Sequence, residues 1–244
     1  MENNDVHVEC LDRETTLSLC GAVLLYGTSQ GNKYFASIHG VNVDKDGRVA
    51  LEAGVQATVE GLTSMFECLL PEKEKECDFV PETILSFGVN HLAWWCPPRT
   101  RRAWFDCKKL GKKTAEVPYP GLVFIAKQRC LYVFAVKGNG RPKPETELYQ
   151  APVFNVGTEG GVCLGNSIPP EGFSIKSVGE WETVFFDSRF THPDGHIESR
   201  LVLWKGGVYS FWEKMLAGEM SEFPEEVLVT TKRTVSEIIT SITR

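Results

Sequence analysis

Short apolar segments, rich in aromatic and β-branched residues, occupy the middle of the chain and restrict the folds open to it. They cover residues 83–87, 92–96, 102–105, 122–126 and 130–136. Several are separated only by turn-forming residues, such as those at 88–90, 97–98 and 127–129. Because no helical segment alternates with these strands, a parallel doubly wound sheet is disfavoured. The pattern instead predicts an antiparallel meander.

Two further apolar segments precede the meander. Residues 21–26 and 33–39 flank a turn at residues 27–32, and this arrangement predicts a β-hairpin. A second turn signal, Asp-Lys-Asp-Gly, follows at residues 44–47. The N-terminal part of the chain is therefore expected to form β-structure of its own.

Helices are expected on both sides of the meander. Apolar residues recur at three- and four-residue steps from Val55 to Leu69, which is typical of an amphipathic helix. Pro71 and the charged run at residues 72–76 are expected to end this helix. Three more helices are predicted near the C-terminal end, at residues 181–186, 210–216 and 235–242.

A long irregular segment rich in glycine and proline, residues 137–170, separates the meander from the last helices. Long loops inside a compact domain often carry function. The predicted order is thus hairpin, helix, meander, loop and helices, which defines an α+β fold.

The composition narrows the classes of function. The 244 residues suffice for one large domain or two small ones, and the net charge of −6 argues against binding to nucleic acid or a membrane surface. No apolar run is long enough to span a bilayer, and the polar start at residues 1–5 does not resemble a secretion signal. The 8 cysteines lack CxxC or zinc-type spacing, so free thiols and a cytoplasmic location are expected.

Cys163 is the cysteine best suited to chemistry. It is flanked by Gly160, Gly161 and Gly165, which allow a ligand to approach closely, and Asn155 precedes it by 8 residues. Most other cysteines are expected to be core thiols, namely Cys20, Cys68, Cys96, Cys107 and Cys130. We predict that Cys163 is a nucleophile and that Asn155 either donates its amide to a developing oxyanion or braces the loop.

Residues 161–165 also match G-x-C-x-G, a nucleophile elbow with cysteine in place of serine. Asp187 or Asp194, followed by His192 or His196, could then complete a triad in the usual chain order. An elbow needs a strand before the nucleophile and a helix after it. The polar and proline-rich neighbours of Cys163 predict neither, so this interpretation is disfavoured.

Two other polar clusters have simpler explanations. Residues 191–196 contain two histidines and an aspartate, but the Pro-Asp-Gly within them favours a turn over a metal site. A basic cluster surrounds Trp104 and Phe105 and could contact nucleic acid or an acidic protein, although the solvated face of a hairpin is favoured. Its members are Arg99, Arg101, Arg102, Lys108, Lys109, Lys112 and Lys113.

The Cys163 loop resembles the active-site segment of ubiquitin-conjugating (E2) enzymes, in which an asparagine precedes a glycine-containing stretch and Ile-Cys-Leu. Here Asn155-Val156, Gly161 and Val162-Cys163-Leu164 match, whereas Val153 and Phe154 replace the usual His-Pro. With this departure the chain is similar to prokaryotic E2 family D, which includes protein B of the PRTRC plasmid system. The likeness extends over most of residues 20–195 and includes 79–82, 92–95, 120–124, 131–135, 141–142, 148–156 and 185–193.

This resemblance implies a UBC-like fold, with residues 1–48 as an N-terminal β extension and residues 49–244 as the E2-like domain with its C-terminal helices. It implies that Cys163 carries a ubiquitin-like protein as a thioester, without a cofactor or metal. The implied partners are that ubiquitin-like protein, an E1-like (ThiF-type) adenylating enzyme and a JAB-type peptidase. A role in plasmid functions or antiphage defence is a looser implication.

Two alternatives remain open from the sequence. An inactive E2-like binding module would have Cys163 buried or facing away from any groove. A cysteine hydrolase would need a histidine within hydrogen-bond reach of Cys163. Asp187 is a candidate for the acidic residue that helps to deprotonate the incoming amine.

Overall fold

The computed structural model describes residues 19–28, 34–45, 47–69, 79–170, 172–194 and 201–244. The chain divides into two compact units, Met1–Cys77 and Asp78–Arg244. The expected boundary between residues 48 and 49 falls within the first unit, and that assignment of domains stays a prediction.

The first unit contains the predicted hairpin. Strand β1 (Ala22–Gly27) pairs antiparallel with β2 (Tyr34–His39), as predicted, while residues 29–33 of the turn lie outside the described residues. A second hairpin joins β3 (Val41–Val43) to β4 (Val49–Leu51) across the predicted turn.

Helix α1 (Val59–Leu69) is shorter at its start than predicted. Val55 belongs to β5 (Val55–Gln56), where it pairs with Ile38 of β2. The helix begins after Thr58 because the Thr58 hydroxyl accepts a hydrogen bond from Gly61 N at 3.1 Å and thus caps the first turn. Pro71 and the charged run at 72–76 lie outside the described residues.

The second unit is built on a six-stranded antiparallel sheet. Its strands are β6 (Ile84–Gly88), β7 (His91–Cys96), β10 (Gly121–Lys127), β11 (Cys130–Val136), β12 (Glu147–Gln150) and β13 (Thr230–Thr234). Their order across the sheet is β13-β12-β11-β10-β7-β6. The antiparallel meander is confirmed for four neighbouring strands. The short strands β12 and β13 were not predicted, because each is brief and rich in polar residues.

One predicted strand leaves the meander. Residues 102–105 lie within β8 (Arg99–Cys107), which pairs with β9 (Gly111–Tyr119) in a separate long hairpin. Consequently β10 pairs directly with β7, with Ile125 opposite Ala93. Strand β9 was missed because its first half is charged and exposed.

Both faces of the six-stranded sheet are covered. Helices α2 (Val178–Phe186) and α3 (Gly207–Leu216) contribute to a large aromatic cluster with the β8–β9 hairpin, in which Trp94, Phe105 and Trp212 are fully buried. Helix α4 (Val235–Thr243) buries Val235 and Ile238 against the side chains of the opposite face. The three C-terminal helices are thus confirmed, and α4 is stabilised by a capping box between Thr234 and Glu237.

The cysteines agree only in part with their predicted burial. Cys96 and Cys107 are buried, as expected of core thiols, but Cys20 and Cys130 are exposed. Cys130 is exposed because it is the first residue of β11, beside the tight turn from β10. The Cys68 side chain lies outside the described residues.

Candidate functional site

The loop that carries Cys163 is attached to the central sheet by backbone hydrogen bonds. Strand β12 pairs only with Phe134 and Ala135 of β11, so the first half of β11 has an unpaired edge on that side. The loop occupies this edge: Val162 N donates to Leu131 O at 2.8 Å, and Val133 N donates to Gly160 O at 2.9 Å. The position of Cys163 is therefore fixed relative to the sheet.

A tight turn at Gly157–Gly160 precedes these contacts. Gly157 N donates to Gly161 O and Gly160 N donates to Gly157 O, both at 2.9 Å. Gly160 has φ +80°, and a Cβ at this position would overlap a ring carbon of Phe134. Only glycine satisfies both the backbone angle and the close approach to the aromatic ring.

Cys163 is exposed at the end of this loop. Its backbone N donates to Asn155 O at 2.7 Å, whereas its thiol makes no hydrogen bond with any described residue. The thiol borders an open groove of about 390 Å³. The groove is lined by Asn155, Val156, Gly157, Gly161, Val162, Cys163, His192 and Asp194.

Asn155 also lines this groove and makes several side-chain hydrogen bonds. Its Nδ2 donates to Arg189 O at 2.6 Å, and its Oδ1 accepts from Thr191 N at 3.1 Å and from Thr191 Oγ1 at 2.9 Å. Its φ of +62° is one that asparagine tolerates better than most residues. The side chain thus connects the loop to residues 189–191.

The segment that Asn155 holds continues from α2 along the edge of β8. Phe190 N donates to Trp104 O at 2.7 Å, and Asp106 N donates to Phe190 O at 3.1 Å. Two residues later, His192 O accepts from Asn155 N at 2.9 Å. The chain therefore brings His192 beside Asn155. In the sequence, Asn155 is preceded by Val153 and Phe154 instead of His-Pro.

His192 and Asp194 line the same groove as Cys163, although the sequence linked them to this cysteine only through the disfavoured triad. A Cβ at Gly157 would lie 3.4 Å from Asp194 Oδ2, which places the carboxylate on the groove wall. In the sequence these residues lie about 30 positions after Cys163 within an ordinary turn signal. His196 lies outside the described residues.

Asp187, by contrast, does not line the groove. It ends α2, is largely exposed and forms an ion pair with Arg102 at 3.6 Å. The nucleophile elbow is also contradicted, because the chain after Cys163 forms a turn in which Ser167 N donates to Leu164 O at 2.9 Å instead of a helix. Within the described ranges, no cluster of three or more His, Cys, Asp or Glu side chains is arranged to hold a metal ion.

The basic cluster lies on the β8–β9 hairpin and is extensively paired with acidic side chains. Arg99 and Arg101 both contact Glu182, whose pKa is raised by burial. Further ion pairs join Arg102 to Asp187, Lys112 to Asp106 and Lys113 to Glu213. This pairing reduces the positive field that a nucleic-acid site would need.

No described helix has the length and apolar character required to cross a membrane. Neither a curated protein nor a solved structure shows significant similarity to the chain. The sequence does match the family model of prokaryotic E2 family D over residues 61–231, which is more than two thirds of the chain and includes the whole Cys163 groove. The chain therefore belongs to prokaryotic E2 family D.

Proposed function

We propose that this protein carries a ubiquitin-like protein as a thioester on Cys163 and transfers it to an amine. The observation that supports this most directly is the exposed thiol on a sheet-anchored loop, at the edge of a groove, in a chain of the E2-like family. The six-stranded sheet and its helices would then be a variant of the UBC fold.

Loading requires only an exchange of thioesters. The Cys163 sulfur attacks the carbonyl carbon of the thioester on an E1-like enzyme, a new S–C bond forms, and the E1 thiol leaves. Because the bond formed and the bond broken are of the same type, the protein has mainly to present and position the thiol. Glycine backbone at positions 157 and 161 lines the groove and leaves room for an extended C-terminal tail.

Asn155 is proposed as a positioning residue in this reaction. Its side chain ties the Arg189–His192 segment to the loop, and its carbonyl oxygen accepts from Cys163 N. One hydrogen of its Nδ2 is used by Arg189 O. Loop support accounts for these contacts, and the second hydrogen of Nδ2 takes no part in them.

A cysteine hydrolase is the second candidate, since His192 and Asp194 share the groove with Cys163. In a Cys-His hydrolase the histidine activates the thiol through a direct hydrogen bond. No such bond joins Cys163 Sγ and His192, both of which are described. This arrangement favours transfer over hydrolysis. An inactive binding module is disfavoured by the exposure of the thiol at a groove.

The partners proposed from the family are a ubiquitin-like protein, an E1-like adenylating enzyme of the ThiF type and a JAB-type peptidase. We place the reaction in the bacterial cytoplasm, within a plasmid-borne or antiphage defence system. We also propose that residues 1–48 form an N-terminal β extension and that residues 49–244 form the E2-like domain.

The decisive experiment is to purify the protein together with the products of its neighbouring genes and to search for a covalent adduct. We expect a thiol-reducible adduct with the ubiquitin-like protein that requires ATP, the E1-like enzyme and an intact ubiquitin-like C-terminus. Cys163→Ala should abolish it, whereas Cys130→Ala should not, although both thiols are exposed. An adduct that persists in Cys163→Ala would reject Cys163 as the carrier.

A further inference from the structure

We propose that His192 Nε2 accepts the proton of the amine that attacks the Cys163 thioester, and that Thr191 and Asn155 hold the imidazole in the tautomer that this requires. The inference rests on the proposed function and adds a catalytic residue to it. Two independent observations support it: the shared groove and the direction of a chain of hydrogen bonds.

The first observation is the position of His192. It lines the same groove of about 390 Å³ as Cys163, with Asp194 two residues further on. An amine that enters the groove to attack an acyl group on Cys163 therefore passes along a wall that contains an imidazole and a carboxylate. The imidazole provides a base for a neutral primary amine, such as a deprotonated lysine side chain, at the point where that amine attacks.

The second observation begins with Asn155, whose amide orientation is fixed by its backbone partners. Arg189 O can only accept a hydrogen bond, so the atom 2.6 Å from it must be Nδ2. Thr191 N can only donate, so the atom 3.1 Å from it must be Oδ1. A flipped amide would place an acceptor against Arg189 O and a donor against Thr191 N, so neither hydrogen bond could form.

The orientation of Asn155 sets the direction of the next two bonds. Oδ1 is an acceptor, so the Thr191 hydroxyl, 2.9 Å away, must donate its single proton to it. The same hydroxyl oxygen lies 2.9 Å from His192 Nδ1 and must accept there. His192 Nδ1 therefore carries the proton, which leaves the Nε2 lone pair of the neutral imidazole available.

The transfer step then balances without another reagent. The amine nitrogen attacks the thioester carbonyl carbon, and its proton moves to His192 Nε2. As the tetrahedral intermediate collapses, the C–S bond breaks and the amide C–N bond is complete. The departing Cys163 sulfur takes a proton from solvent, and the imidazolium returns its proton to solvent. The products are an amide and a free thiol.

A chemical test separates this inference from the identity of the partners. The full-length protein is incubated with a short peptide thioester that ends in Gly-Gly. It carries Cys20→Ala and Cys130→Ala, which remove the other thiols that are exposed among the described residues. Mass spectrometry follows formation of the Cys163 thioester and then its discharge onto free lysine. His192→Gln should load at the wild-type rate, but its discharge should be about a hundredfold slower, as expected for loss of a general base.

His91→Gln is the matched control, because His91 lies at the start of β7 and does not line the groove. It should load and discharge like the parent protein. If the parent forms no thioester with the probe, the proposed function fails and this inference fails with it. If the thioester forms and His192→Gln discharges at the parental rate, the inference alone is wrong.

Thr191 provides a second test that does not alter the histidine. Thr191→Val removes the hydroxyl that fixes the tautomer, and we expect discharge to slow by about tenfold at saturating lysine while loading is unchanged. Thr191→Ser retains the hydroxyl and should restore the rate. If valine and serine at this position discharge equally fast, the hydrogen-bond chain does not act as proposed.

Discussion

The aromatic core and the Cys163 groove lie in the same unit but are held together by different interactions. In the core, Phe105 contacts the rings of Phe154, Phe190 and Trp212 at centroid distances of 4.9 to 5.3 Å. In the groove, Asn155 and the loop glycines are held by directional hydrogen bonds. The core thus provides most of the stability, whereas the groove provides an accurate position for one thiol.

The largest change in stability is expected from a substitution in the aromatic core. Trp212 is fully buried, and its Nε1 donates to Pro152 O at 2.9 Å. Trp212→Ala should lower the free energy of unfolding by about 3–5 kcal/mol, because it leaves a large cavity and an unpaired carbonyl. Urea unfolding measures the change. Trp204→Ala, at the edge of the same cluster, should cost less; equal losses would contradict the assignment of Trp212 to the centre of the core.

Thiol labelling distinguishes the two regions without mutation. Burial and the nearby Glu182 raise the pKa of Cys96 to about 11. At pH 8 its thiolate fraction should be about a hundredfold lower than that of an ordinary cysteine, and burial should slow alkylation further. Mass spectrometry after a short exposure to iodoacetamide should therefore find label on Cys163 and Cys130 before Cys96. Early labelling of Cys96 would show that the core opens readily.

Gly160 tests the close approach on which the groove depends. Gly160→Ala forces a Cβ against the Phe134 ring and a strained backbone angle, so we expect a loss of about 2–3 kcal/mol in stability. Loading of Cys163 should fall as well, because the loop must shift. Gly165→Ala is the matched control: Gly165 also has a positive φ, of +56°, but its Cβ would meet nothing within 4 Å. A similar loss in both variants would attribute the effect to strain alone.

Among these variants, a substitution of Asn155 should change the free energy of unfolding least. Its main effect should be on the local order of the segment that Asn155 contacts. Asn155→Gly keeps the positive φ accessible and removes the hydrogen bonds to Arg189 and Thr191, and we expect a loss of about 1 kcal/mol. Hydrogen exchange should increase at Thr191 N more than at Val133 N. Uniform acceleration across the unit would contradict a local bracing role.

The sequence predicted those parts of the fold that depend on local patterns. The apolar strands around Trp94, Phe124 and Val133 were recognisable from composition and turns, and most of α1 from its periodicity. Strand β9 was missed because its charged residues are compatible with solvent exposure on both sides of a hairpin. Strand β13 was missed because it pairs with β12, more than 80 residues earlier in the chain, as between Glu147 and Thr234. Strand β12 was missed because it is short and rich in polar residues.

The site was predictable to a similar degree. The glycines around Cys163 mark the exposed thiol within a single short segment, and the structure places it at a groove. The partners of Asn155 lie 34 to 37 residues away and include backbone atoms of Arg189 and His192, which leave no trace in residue type. Because such long-range contacts are not visible in the sequence, Asp187 was chosen as the acidic residue although it does not line the groove. Asp194, which does line it, was interpreted only as part of a turn or a triad.

The attachment of the loop to β11 has a consequence for how the protein can be recognised. Because Val162 and Gly160 continue the hydrogen bonding of the sheet, the loop behaves as a substitute for the missing half of β12. The sheet therefore determines the position of the Cys163 sulfur. A protein that binds to the surface of this unit at some distance from the groove is therefore held in a defined position relative to the thiol, without contacting the loop itself.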